Sequence, residues 1–143
     1  MTRALYFAYG SNMDPVQMGE RCPDARAVGR ASLADWEVHI GIRGFATVVD
    51  TAGSLTWGVL WEVSPADLAS LDVYEGVAHG HYRRETLTAQ GPESAHAALI
   101  YIEEFEGDGE PRHGYLERIL DGARAFGLPD DYRAKLARLA GGE

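Results

Sequence analysis

Short apolar runs, bounded by glycine, proline and acidic turns, recur along most of this chain and force a sheet-rich fold. Leu5–Tyr9 is aromatic-rich and short, the pattern of a buried strand, and it ends in the turn formers Gly10-Ser11-Asn12. Ala34–Ile40 alternates and passes through Gly41–Gly44 into Phe45–Val49, a hairpin; a turn at Asp50–Ser54 then precedes the apolar run Trp57–Val63. Tyr82–Thr88 and His96–Glu103 form a second hairpin about Gln90-Gly91-Pro92-Glu93. In His96–Glu103 both faces are partly apolar, Ala98, Ile100 and Ile102 on one and Ala97, Leu99 and Tyr101 on the other. That strand is therefore expected to be central.

Helices are fewer. Asp14-Pro15 opens a short one, Asp as N-cap and Pro at the first helical position, ending near Cys22-Pro23. Ser64-Pro65-Ala66-Asp67 opens another, continued by Leu68 and Leu71 and stopped by Gly76. From about Arg112 to Phe126, Leu116, Ile119, Leu120 and Ala123 make one apolar stripe, and Gly127 and Pro129 end it. Asp131–Leu139 closes the chain. Strands outnumber helices and pair locally, which makes the fold class α+β, with a small mixed or antiparallel sheet curling towards a barrel.

At 143 residues the chain fits one domain, 1–143. Its formal charge of −9 is spread evenly, −4 over residues 1–72 and −5 over 73–143, with no basic arm. That argues against tracking a phosphate backbone and against docking on an anionic membrane. No apolar run approaches the ~18 residues that span a bilayer. The opening Met-Thr-Arg-Ala-Leu enters a strand pattern at once rather than a signal peptide, so a cytoplasmic protein is expected. A single cysteine, Cys22, excludes an intramolecular disulfide and a Cys-based zinc knuckle. Cys22 reads as a packed or surface thiol, and Trp36, Trp57, Trp61, Tyr101 and Phe126 as core. Glu103–Glu110, rich in acids and glycine, reads as a solvated, mobile loop, and His79 and His81 as polar surface, for no third metal ligand stands near them.

Two segments carry chemistry-bearing residues. A strand–turn–helix junction at Tyr9-Gly10-Ser11-Asn12 can aim several backbone N–H groups at one carboxylate or oxyanion. It lacks the Gly-Lys-Ser/Thr of a phosphate loop and the later glycines of a dinucleotide fingerprint, and a plain tight turn fits equally. In Leu71-Asp72-Val73-Tyr74-Glu75-Gly76-Val77, Glu75 falls at a helix C-terminus, where the helix dipole disfavours a negative charge. That field, with burial beside Tyr74 and Val77, would raise its pKa towards the range of a general base near neutral pH. An exposed, inconsequential glutamate is the alternative.

Together these segments resemble the γ-glutamylcyclotransferase family, which includes the plant AIG2-like proteins. Tyr6-Phe7-Ala8-Tyr9-Gly10-Ser11-Asn12-Met13 is similar to the family's opening signature. Trp57-Gly58-Val59-Leu60-Trp61-Glu62-Val63, Leu71–Val77 and Gly80-His81-Tyr82 resemble its central block. Tyr115, Gly122-Ala123, Gly127-Leu128-Pro129 and Tyr132-Arg133-Ala134-Lys135-Leu136 resemble its ending, so the likeness runs along essentially the whole chain.

The resemblance implies a small α+β barrel with a cleft for a γ-glutamyl group. It implies a reaction without metal or cofactor, in which the substrate's α-amine attacks its own γ-amide carbonyl and releases 5-oxoproline and an amine or amino acid. By position, Glu75 matches the catalytic acid/base, Tyr9, Gly10, Ser11 and Asn12 the substrate-cradling loop, and Tyr82, Tyr101 and Tyr115 tyrosines lining the pocket. One departure stands out: where animal members carry a longer polar excursion, Ile40 reaches Phe45-Ala46-Thr47 through only Gly41-Ile42-Arg43-Gly44. The leaving group is thereby left open between an amino acid and a larger amine, and a non-catalytic binding module on the same scaffold remains a third reading. The expected partner is a small molecule, not nucleic acid or membrane; a homodimer is left open, with no surface strip to identify one.

Overall fold

The computed structural model describes residues 3–139; the ends of the expected 1–143 domain, including Met1 and Thr2, lie outside the described residues. Five strands, β1 (Ala4–Ala8), β2 (Arg26–Ile40), β3 (Ala46–Val63), β4 (Arg83–Gln90) and β5 (Ala95–Ile102), close into a barrel in the order β1-β3-β2-β4-β5. Helices α1 (Pro15–Arg21), α2 (Pro65–Tyr74), α3 (Tyr115–Ala125) and α4 (Asp130–Ala137) flank it. All pairings are antiparallel except β1 with β5, so the sheet is mixed. The α+β barrel expected from the sequence is the fold found. β5 lies between β4 and β1, as its two apolar faces require. Among the described residues, no helix is long and apolar enough to cross a membrane.

The β2–β3 hairpin is longer than its apolar pattern suggests. Arg26–Leu33, mostly polar or small, pairs with the Thr56–Glu62 stretch and extends the strand before Ala34. The turn expected at Asp50–Ser54 is instead a large bulge within β3. Register runs from Ala34 opposite Leu55 to Trp36 opposite Asp50, so Asp35 alone faces the four residues Thr51–Ser54. The turn chemistry is real but local: Asp35 adopts φ 69° and its Oδ1 accepts a hydrogen bond from Gly53 N–H at 3.0 Å. Hydrogen bonding to the partner strand resumes on either side, and the strand continues.

The helices start where their caps direct. Ser64 and Asp67 form a reciprocal capping box on α2, with Pro65 at the first helical position. Replacing such a cap costs about 1 kcal/mol. α3 begins at Tyr115 rather than near Arg112, because the Arg112 N–H donates to Gly44 O and Gly114 takes φ 79° just before the helix. Leu116, Ile119 and Ala123 bury the expected stripe; Trp61 is buried, while Trp36, Trp57 and Phe126 are partly buried against the core.

Two contacts set the geometry of the site. α3 crosses the 3-10 turn Ser11–Met13 at Gly122, where a Cβ would fall 2.4 Å from the Met13 carbonyl carbon. Only glycine lets helix and turn approach so closely. At the other wall, the Glu103–Arg112 segment is pinned rather than mobile. Gly109 N–H donates to Ile40 O at 2.8 Å, Arg112 N–H to Gly44 O at 3.1 Å, and Glu103 is buried in an ion pair with Arg43. Glu104, Glu106, Asp108 and Glu110 are exposed, as expected; Glu103 is buried, and the partners Arg43 of Glu103 and His39 of Asp108 lie 60 and 69 residues away.

Candidate active site

The junction after β1 and the end of α2 meet at one cavity. About 310 Å³ of empty space lies there, part of it open to solvent, and Tyr6, Tyr9, the Gly10–Asn12 turn, Glu75, Tyr82, Tyr101 and Tyr115 line it. Every residue singled out in the sequence for the cradle, the carboxylate and the tyrosine wall is therefore brought together. Tyr6, Ala46, Gln17, Arg21 and Arg43 were not singled out, yet they line this cavity or the chamber next to it. Tyr6 had a signal in the alternation of β1. Gln17 and Arg21 had one in their i, i+4 spacing on a helix leaving the turn. For Ala46 and Arg43 the sequence holds no local signal.

α1 holds the turn's side chains. Gln17 Nε2 donates to Ser11 Oγ at 2.6 Å and to Asn12 Oδ1 at 3.0 Å, and Arg21 Nη1 donates to Asn12 Oδ1 at 3.1 Å. Asn12 Nδ2 in turn donates to the Tyr6 hydroxyl at 3.0 Å. Ser11 and Asn12 are both buried, so these bonds offset their desolvation and fix the turn in one conformation.

Glu75 is the C-cap of α2, and Gly76 follows it at φ 65°. That left-handed residue ends the helix and turns the chain away, at little cost only for glycine. A Cβ there would also lie 2.5 Å from His81 Nδ1. Part of Glu75 reaches solvent, but its carboxyl sits deep enough that burial pushes its pKa from 4.5 up to about 7. Arg21 and Arg43 oppose that rise and Glu103 adds to it. Burial is the largest cause.

The tyrosine wall is neutral. Burial raises the pKa of Tyr6, Tyr9, Tyr82, Tyr101 and Tyr115 well beyond the physiological range. Several hydroxyls are already committed. Tyr9 Oη donates to Tyr101 O at 2.5 Å, Tyr82 Oη to Ala46 O at 2.6 Å, and Tyr101 Oη to Asp72 Oδ1 at 2.7 Å. Tyr115 differs: its oxygen accepts from Ala46 N–H at 2.9 Å and faces the Ser11 amide. Tyr6 likewise accepts, from Asn12. Both phenols thus keep a proton to donate. Cys22, by contrast, is buried outside the cavity, its thiol pushed up to about 12 by burial, so it is no ready nucleophile.

A family model for the AIG2-like family matches residues 56–136. Over 92% of its length the chain is 32% identical to the γ-glutamylcyclotransferases of Homo sapiens and Bos taurus, covering 76% of each. The chain belongs to the AIG2-like/γ-glutamylcyclotransferase family. The fold agrees. A solved γ-glutamyl cyclotransferase superposes with a TM-score of 0.89 at 30% identity, covering 95% of this chain and 87% of that one. YkqA from Bacillus subtilis superposes at 0.83 and 26% identity, over 96% of this chain and 54% of its own. The Gly41–Gly44 connection carries Arg43 to the rim of the site.

Proposed function

We propose that this chain acts as a single-domain γ-glutamylcyclotransferase, converting a γ-glutamyl amide to 5-oxoproline and a free amine, with Glu75 as general acid/base. The observation that carries the reading is one carboxyl, raised to about 7, facing a cavity shared with the Gly10–Asn12 turn. A substrate α-ammonium cannot attack until it loses a proton, and a carboxylate of that basicity can take it near neutral pH. The amine then closes on the γ-carbonyl carbon to form a five-membered ring. Glu75 returns its proton to the leaving nitrogen as the C–N amide bond breaks, and the surplus proton of the ring nitrogen passes by way of Glu75 to the departing amine, which leaves as an ammonium. Nucleophile and electrophile belong to one molecule, so the main task is to hold a folded conformer. Such orientation supplies about 7–11 kcal/mol of barrier reduction.

The remaining roles follow from which groups are uncommitted. Tyr9, Tyr82 and Tyr101 form a rigid wall, their hydroxyls occupied by the protein. Tyr115 and Tyr6 retain donor protons, and with the Gly10 and Asn12 amides they serve the substrate α-carboxylate or the oxyanion of the tetrahedral intermediate. The chemistry calls for no metal or cofactor, because the electrophile is an amide polarised by these donors.

The test is 5-oxoproline release from γ-glutamyl-alanine by the wild type and by Glu75→Gln, with circular dichroism to show that the variant folds. Turnover by the wild type and its loss in the variant are expected. Near-parental turnover in the variant would remove Glu75 from the chemistry. Tight calorimetric binding of the substrate without turnover by the wild type would favour a binding module.

A further inference from the structure

The site does not end at the inner cavity. Ser11, Glu75, Tyr82 and Tyr115 are shared with an outer chamber of about 580 Å³, part of it open to solvent, and the guanidiniums of Arg21 and Arg43 line it. They form a local cluster of cations in a chain of net charge −9, set against Glu75 in the same wall and Glu103 paired to Arg43. Its position has a meaning under the cyclotransferase reading, on which the inference rests. The glutamyl part fills the inner cavity. The leaving part extends past Glu75, which must reach its nitrogen, and so enters the outer chamber.

The two arginines are not equivalent. Arg21 is tied to Asn12 and its guanidinium lies 4.4 Å from the centre of the Tyr74 ring, so it braces the cradle. Arg43 meets Glu103 through Nε, which occupies one side of its fork and leaves the terminal nitrogens as donors. Its backbone is bolted down: Arg112 Nε donates to Arg43 O at 2.9 Å, and Gly41 N–H and Gly44 N–H close the turn on Phe45 O and Gly41 O. Phe45 and Tyr82 flank the guanidinium, their ring centres 5.3 and 5.9 Å away. A guanidinium held this way loses little entropy on binding an anion. The chamber's aromatic residues, Phe45, Tyr74, Tyr82 and Tyr115, can pack an apolar leaving group, but Arg43 is the charged donor that separates one carrying a carboxylate from one that does not.

We infer that Arg43 is a specificity-determining residue, whose guanidinium binds a carboxylate carried by the leaving group. Substrates that release an amino acid are then selected over those that release a neutral amine. The short connection after β2 is what brings this charge to the rim.

The experiment compares kcat/KM for 5-oxoproline release from γ-glutamyl-alanine and from γ-glutamyl-ethylamide, which lacks only the leaving-group carboxylate. Wild type, Arg43→Gln and Arg43→Lys are measured as full chains. Arg43 also influences Glu75, but both substrates use the same base, so the ratio cancels that effect. The wild-type ratio is expected to be at least about tenfold, the size of a charge-assisted hydrogen bond. It should fall towards unity in Arg43→Gln and lie between in Arg43→Lys. An equal wild-type preference, or a ratio unmoved by both variants, overturns the inference while leaving the cyclotransferase reading intact. If Arg43→Gln does not fold, the wild-type ratio and the lysine variant still decide. No 5-oxoproline from either substrate overturns the cyclotransferase reading, and this inference with it.

Discussion

The inner cavity and the outer chamber share Glu75 but are built on opposite principles. The inner wall is aromatic, neutral and hydrogen-bonded to itself, so its one ionisable carboxyl meets a strong desolvation penalty. The outer chamber is larger and carries two guanidiniums, which pull the same carboxyl back towards ionisation. The contrast teaches how one glutamate is set near neutrality: the inner wall raises its pKa and the chamber limits the rise. It also separates two tasks, cyclisation inside and choice of leaving group outside.

The sharpest way to break the contrast is at the shared carboxyl. Glu75→Gln should lower kcat for 5-oxoproline release by about 10²–10⁴-fold, the range for a lost general acid/base. Next comes the inner wall. Gly122→Ala would drive α3 against the Ser11–Met13 turn, destabilising the fold by about 1–3 kcal/mol in denaturant titrations. It should weaken turnover too, because the turn itself must shift. Tyr115→Phe removes the acceptor of the Ala46 N–H together with a donor proton, and should reduce kcat by about 10- to 100-fold.

The electrostatic balance gives two smaller effects. With Glu75 near 7, kcat/KM should rise about tenfold per pH unit in mildly acid solution and level off above neutrality. Stability should run the other way. A carboxyl raised on folding is ionised in the unfolded chain first, so its unfolded form binds fewer protons between pH 4.5 and about 7. Stability therefore falls with rising pH across that window. Glu75→Gln should match the wild type near pH 4 and exceed it by at most about 3 kcal/mol at pH 8, read from urea titrations. Smallest is the salt dependence. The net charge of −9 repels an anionic substrate at long range, while the binding groups act at contact. kcat/KM should then change less than about twofold between roughly 50 and 300 mM salt, and a steep dependence would show that the outer arginines steer encounter.

Much of the fold was legible because its signals are local. The cap residues Asp14 and Ser64, the Gly76 stop, the stripe of α3 and the two apolar faces of β5 each act over a few residues, and each element lies where they point. The misreadings were also local readings. The turn expected at Asp50–Ser54 is a bulge within one strand, because pairing with β2 on both sides outweighs the turn preference. Glu103–Arg112 is pinned and not free, because the residues that hold it belong to β2 and the turn that follows it.

By itself, the sequence determined the order of elements, the turn after β1 and a glutamate set at a helix end. Those rest on capping, periodicity and backbone freedom, which nearest neighbours in the chain settle. Only the tertiary structure decided that the glutamate is desolvated enough to titrate near 7, that α1 locks Ser11 and Asn12, and that Arg43 faces the same chamber. Desolvation depends on every group packed around a carboxyl. In this barrel those groups come from the turn after β1, the start of β3, the approach to β4, β5 and α3, which meet only when the sheet closes.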